Sequence, residues 1–92
     1  MKHKLCKHQK KARLVEVWWI DSIGDANAWT PNSEADHWAK LPLSTIVSVG
    51  FVLRDDKEQI AICGHISQNN KASMWAIPKK CVVRIFDLER GR

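Results

Sequence analysis

The sequence predicts a mainly β fold: a small five-stranded barrel with one short helix in its first long loop, behind a basic N-terminal arm. Two observations predict it. Short β-branched and aromatic runs recur along the chain, each bounded by turn residues. The last of them, Ala76-Ile77-Pro78-Lys79-Lys80-Cys81-Val82-Val83-Arg84-Ile85, reads as a strand, a tight proline turn and a closing strand. At 92 residues the chain is long enough for one modest core and too short for two.

The arm, residues 1–13, holds Lys2, Lys4, Lys7, Lys10, Lys11 and Arg13 and no acid. It has one leucine, one alanine and no aromatic, too little apolar surface to offset the entropy of ordering, so it is expected to be disordered. Taking these six cations from the fifteen leaves nine against ten acids in residues 14–92. The net charge of +5 therefore belongs to the arm, and the single domain at 14–92 is close to neutral. The arm is read either as a non-specific electrostatic contact for phosphates or as a solvated extension.

Leu14-Val15-Glu16-Val17-Trp18-Trp19-Ile20 suits a strand, with Val15, Val17 and Trp19 on the core face and Leu14, Glu16, Trp18 and Ile20 on the other. Asp21-Ser22-Ile23-Gly24-Asp25 ends it in a turn. In the irregular stretch 26–43, Thr30 is a helix N-cap with Pro31 at the first helical position. Ala35, Trp38 and Ala39 then share a face, with Leu41 close by, and Pro42 stops the helix. One or two turns here would cover an open end of the barrel, with Trp38 as the plug.

Residues 45–53 form the clearest strand. Val47, Val49, Phe51 and Leu53 point one way and Ile46, Ser48, Gly50 and Val52 the other, and Gly50 suggests a bulge or bend. Residues 54–58 make a charged hairpin turn, 59–66 a returning strand and 67–71 a second turn. Residues 74–77 and 81–86 supply the last two strands, joined through Pro78-Lys79-Lys80.

This order resembles the SH3-like barrel, in which a long first loop precedes three meandering strands and a 3₁₀ turn joins the last two. Trp75-Ala76-Ile77-Pro78-Lys79-Lys80-Cys81-Val82 resembles the apolar-Pro-x-x-x-Val stretch near the end of such domains. The peptide-binding branch carries a Tyr-rich motif, and this chain has no Tyr; proline-rich peptide binding is therefore not implied. The Sm-like branch shares the five strands, but its glycine-containing RNA-binding motif is not present. The Val-x-Trp opening, the Val-Gly-Phe-Val-Leu-Arg-Asp-Asp centre and the Ile-Pro-Lys close are similar to small uncharacterised proteins of tailed bacteriophages and prophages. That resemblance implies an accessory role, such as countering a host defence system.

Several function classes are not expected. No apolar run approaches the ~20 residues of a membrane helix. No apolar h-region follows the basic start, so a secretory signal is not expected. Cys6, Cys63 and Cys81 are odd in number and widely spaced, which fits a reducing, cytoplasmic setting. Cys6-Lys7-His8 and Cys63-Gly64-His65 share a zinc-compatible spacing, but a buried cysteine beside a partly exposed histidine is the simpler account, and no metal site is assigned. Cys63 and Cys81 lie in apolar strands, where thiols are inert. With no phosphate loop, paired carboxylates or triad spacing, a non-enzymatic protein without a cofactor is expected.

Five tryptophans supply either burial or flat surfaces for stacking. Trp19, Trp38 and Trp29 are expected to be packing residues. Trp75 with Lys79, Lys80 and Arg84 nearby in sequence, together with Trp18, forms the candidate ligand-binding set. Such a set suits an anionic, aromatic ligand, each stacked base contributing roughly 1–3 kcal/mol. The expected function is binding of a nucleic acid or a nucleotide signal. The alternatives are a protein–protein inhibitor that occludes a host protein through Trp18 and Ile20, and a structural component that forms homo-oligomers through open edge strands.

Overall fold

The computed structural model of the chain describes residues 3–22 and 29–91. Five strands, β1 (Leu14–Ile20), β2 (Thr45–Asp55), β3 (Gln59–Ile66), β4 (Lys71–Pro78) and β5 (Val82–Asp87), make one antiparallel sheet in the order β4-β3-β2-β1-β5. Helix α1 (Lys7–Lys11) precedes the sheet, α2 (Asn32–Ala39) lies between β1 and β2, and a 3₁₀ turn, Lys79–Cys81, joins β4 to β5. β4 and β5 are the two edges, so the sheet among the described residues is not closed. Much of the turn expected at 21–25 lies outside the described residues.

Period-two alternation decides the core. Val15 and Val17 are fully buried and Trp19 nearly so, and they join Ile60 and Ile62 of β3 and Ile77 of β4 in one cluster. Ile46, Val52, Cys81, Val82 and Ile85 pack against it, so every strand contributes. Among the described residues neither α1 nor α2 buries a residue in this core. A single sheet excludes water from one of its faces only by curling over it, as the right-handed twist of strands permits. The β2 bulge between Val52 and Arg54 adds to that bend.

In β2 the inward set is Ile46, Ser48, Gly50 and Val52, opposite Trp19, Val17 and Val15 of β1 and Ile62 of β3. Val47 and Val49, the more apolar alternative, face solvent at 53% and 55% exposure. Ser48 is inward for a reason: its Oγ accepts the Trp19 indole N–H at 3.0 Å, which satisfies a polar group in the core. Gly50 is required by close approach. A Cβ there would stand 2.8 Å from the Cys63 carbonyl oxygen and 3.0 Å from the Ile62 Cβ.

Two expectations are corrected. The basic arm is described from His3 onward, and within it α1 and Arg13 contact the sheet. Gln9 Oε1 accepts the Cys6 N–H at 2.8 Å at the start of α1, and Gln9 Nε2 ties the arm to the sheet by donating to the Ile66 carbonyl at 2.9 Å. Arg90 Nη1 donates to the carbonyls of Lys10 and Ala12, at 3.0 and 2.9 Å. Composition counted only the arm's own apolar surface, whereas its order comes from polar contacts with distant residues.

The second correction concerns α2, which begins at Asn32 with Pro31 as its N-cap and covers nothing. Trp29 and Trp38, expected to pack, are exposed, and Trp38 is not a plug. The radius of gyration, 18.2 Å, exceeds the ~12 Å of a compact domain of this length.

The tight fit at Gly50 gives a direct test. Gly50→Ala is expected to lower stability in denaturant titration by about 1–3 kcal/mol, because the neighbouring atoms are backbone and a core Cβ. Gly91→Ala, with no atom within 4 Å of its added Cβ, is expected to be neutral.

Candidate anion-binding cleft

The arm's return against the sheet creates a cleft. Lys7, His8, Lys11 and Ala12 of the arm face Val52 and Leu53 of β2, Ile66 at the end of β3 and Lys71 at the start of β4 across a cleft of about 530 Å³. That volume falls within the roughly 300–1,000 Å³ of small-molecule sites. Lys7 and Lys11 are four apart on a helix and therefore share a face. The rim thus holds three lysines and a histidine, the floor is aliphatic, and no acid lines it. A smaller cleft on the same side, lined by Leu5, Gln9, Phe51, Ile66 and Arg90, is framed by the Arg90 guanidinium 5.3 Å from the Phe51 ring.

Four acids, Asp55, Asp56, Glu58 and Asp87, are engaged by other cations. Asp55 at the end of β2 accepts Lys79 Nζ at 2.5 Å and Arg13 Nη1 at 2.8 Å. Those two hydrogen bonds, Lys79 first, hold its carboxyl below the usual carboxylate range. Arg13 also pairs with Asp87 of β5, and its own pKa is raised, chiefly by Asp87 and then by Asp55. Arg54 pairs with Asp56 and, at 3.6 Å, with Glu58. Asp56 is lowered to about 2 by the Arg54 hydrogen bond and by the backbone N–H groups of Gln59 and Glu58. None of these ion pairs uses Lys7, Lys11 or Lys71.

The five residues expected to form a site are divided by the sheet. Trp18 and Arg84 stand opposite each other in the β1–β5 register, on the outer face. There the Trp18 ring meets Phe86 edge-on at 5.5 Å, and its indole N–H donates to Glu16 at 2.7 Å. Arg84 lies over the Phe86 ring at 6.0 Å. Trp75 pairs with Ile62 and so belongs to the inner face, where its ring lies 6.4 Å from that of Trp19. Lys79 has its charge met by Asp55, and Lys80 is exposed beside it in the 3₁₀ turn. Cys63 is buried and His65 exposed, and among the described residues no three His, Cys, Asp or Glu side chains gather.

Sequence reasoning missed Lys7, His8, Lys11 and Lys71, because they lie in two stretches some 60 positions apart in a chain of 92 residues. The i, i+4 spacing of Lys7 and Lys11 is the one signal of them in the sequence. Among the described residues no helix is long and apolar enough to cross a membrane. No known protein family, curated protein or solved structure matches the chain.

The Asp55 junction predicts a pH dependence. A carboxyl lowered in the folded state adds stability above its unfolded pKa near 3.9 and loses it as pH falls through the folded value. Asp55→Asn is expected to cost about 1 kcal/mol at neutral pH, since such pairs are partly screened by solvent. The gap from the parent should close as pH drops below about 4, read by denaturant titration across pH.

Proposed function

We propose that the protein is a non-enzymatic binding protein that holds a phosphate-bearing ligand, a nucleotide or a nucleic-acid segment, in the cleft beneath α1. The observation that carries this reading is the convergence of Lys7, His8, Lys11 and Lys71 around an aliphatic floor without an acid. Like charges held together repel one another, and an anion placed among them relieves that repulsion while gaining several charge-assisted hydrogen bonds. Val52, Leu53 and Ile66 offer the body of such a ligand an apolar surface. The basic arm is then part of the site.

The strand order and the 3₁₀ turn at Lys79–Cys81 support an SH3-like reading of the sheet, in which β4 and β5 would close the barrel beside that turn. The resemblance to phage accessory proteins would give the binding a use, sequestering a nucleotide signal of a host defence system. A second reading, occlusion of a protein partner, draws on a separate observation. Trp18, Ile20, Val47, Val49 and Phe86 are exposed on the outer face.

Fluorescence anisotropy with a labelled single-stranded oligonucleotide and with a labelled nucleotide tests the first reading. Binding should weaken with salt, and each of Lys7→Ala, Lys11→Ala and Lys71→Ala should reduce the slope of log K against log salt by ~1. Trp75→Ala and Lys80→Ala should leave it unchanged. The reverse pattern would place the ligand at the β4–β5 turn, and no binding by either probe would reject the reading.

A further inference from the structure

Two exposed apolar surfaces stand out among the described residues, and both reach the end of β1 at Ile20. The first is the outer face of β2, β1 and β5. In the register, Trp18 stands between Val47 and Arg84, and Glu16 between Val49 and Phe86, with Ile20 beside Thr45 at the end of β1. The apolar members of this face are all exposed, and Glu16 and Arg84 are its charges.

The second surface is the segment that leaves the sheet after Ile20 and returns at Thr45, its described base closed by the Asp21 N–H to the Ser44 carbonyl. Every described residue from Trp29 to Ser44 is exposed, including Trp29, Trp38, Leu41 and Leu43. An isolated helix of eight residues is well below the ~12–15 at which helices become even marginal in water, so α2 draws little stability from itself. Its Ala35, Trp38 and Ala39 share one side of the helix, and none of them is buried. The molecule extends 64 × 25 × 22 Å, far from the near-equal axes of a domain that packs all its parts together.

We infer that the outer face of β2, β1 and β5 is the docking site for α2 of a second copy of this chain, in a reciprocal two-fold dimer. Three features favour a second copy as occupant. The Ala35–Trp38–Ala39 side of the helix and the outer face are each apolar, and among the described residues the apolar side chains of both are left exposed. The segment bearing α2 springs from the strand ends that carry Ile20 and Thr45, so a two-fold axis near them sets each helix beside the other copy's face. The charges also match: Glu34 and Asp36 on α2 suit Arg84 of the face, and Lys40 at the helix end suits Glu16.

Pairing of edge strands, the simpler route to a dimer, is disfavoured at β4. Ser73 holds a left-handed backbone, φ 56°, within that strand, and Pro78 ends it without an N–H to donate. The dimer surface is separate from the lysine cleft, so the two proposals stand or fall independently.

Sedimentation velocity over a concentration series tests the inference. The full chain is expected to dimerise. Trp38→Asp with Leu41→Asp removes the helix surface, and Val47→Lys with Val49→Lys removes the face; each is expected to be monomeric with unchanged far-UV circular dichroism, because none of the four is in the core. Mixing the two variants should restore a heterodimer, since the intact helix of one meets the intact face of the other. A parent chain that stays monomeric would overturn the inference. So would a helix variant that still dimerises, which would mean face-to-face packing, or two monomeric variants whose mixture stays monomeric.

Discussion

Ile60, Ile77, Val15 and Val17 are sealed from water within one sheet, and among the described residues neither helix adds a buried side chain to them. That condition shapes the rest of the molecule. It makes β2 give its inward positions to Ile46, Ser48, Gly50 and Val52, because a larger residue at position 50 would collide with β3. It places the bulge in β2, where the sheet has to bend. Fully burying such a side chain is worth roughly 1.5–3 kcal/mol, so this cluster outweighs the surface ion pairs as a source of stability. The Arg13–Asp55–Lys79 junction has another use, joining the arm, the end of β2 and the 3₁₀ turn.

A consequence of spending one face on the core is that the other is left over. Outward residues of a sheet that faces solvent are commonly polar, but here they include Trp18, Ile20, Val47, Val49 and Phe86. The same economy applies to the long connection from β1 to β2, whose helix contributes nothing to the core. The monomer thus has a well-formed centre and a surplus of apolar surface, and the surplus lies where a second copy could take it up. At the other end, the arm uses polar contacts to seat itself and leaves its lysines exposed beside an aliphatic floor.

Alternation made the strands legible: β1 and β3 have the bounds read from the sequence, and the inward face of β1 was evident because Glu16 marks the outward one. β2 was harder, since both of its faces are apolar and only the Trp19–Ser48 hydrogen bond and the tightness at Gly50 settle its orientation. The arm was misread because Gln9, Arg13 and Arg90 act on partners roughly 40 to 80 positions away, as Gln9 does on Ile66 and Arg90 on Lys10. The cleft is hidden in the sequence for the same reason. Trp75, Lys79 and Lys80 are neighbours along the chain, yet Trp75 turns to the inner face and Lys79 to Asp55, whereas Lys71 meets Lys7 and Lys11 only through the fold.

Backbone amide shifts followed by NMR while a nucleotide is titrated into the protein test the central claim most directly, because they locate the ligand without any substitution. The account predicts saturable shifts confined to the residues around Lys7, Lys11, Leu53, Ile66 and Lys71. Shifts centred on Trp75 and Lys80, or on Trp18 and Arg84, would contradict it.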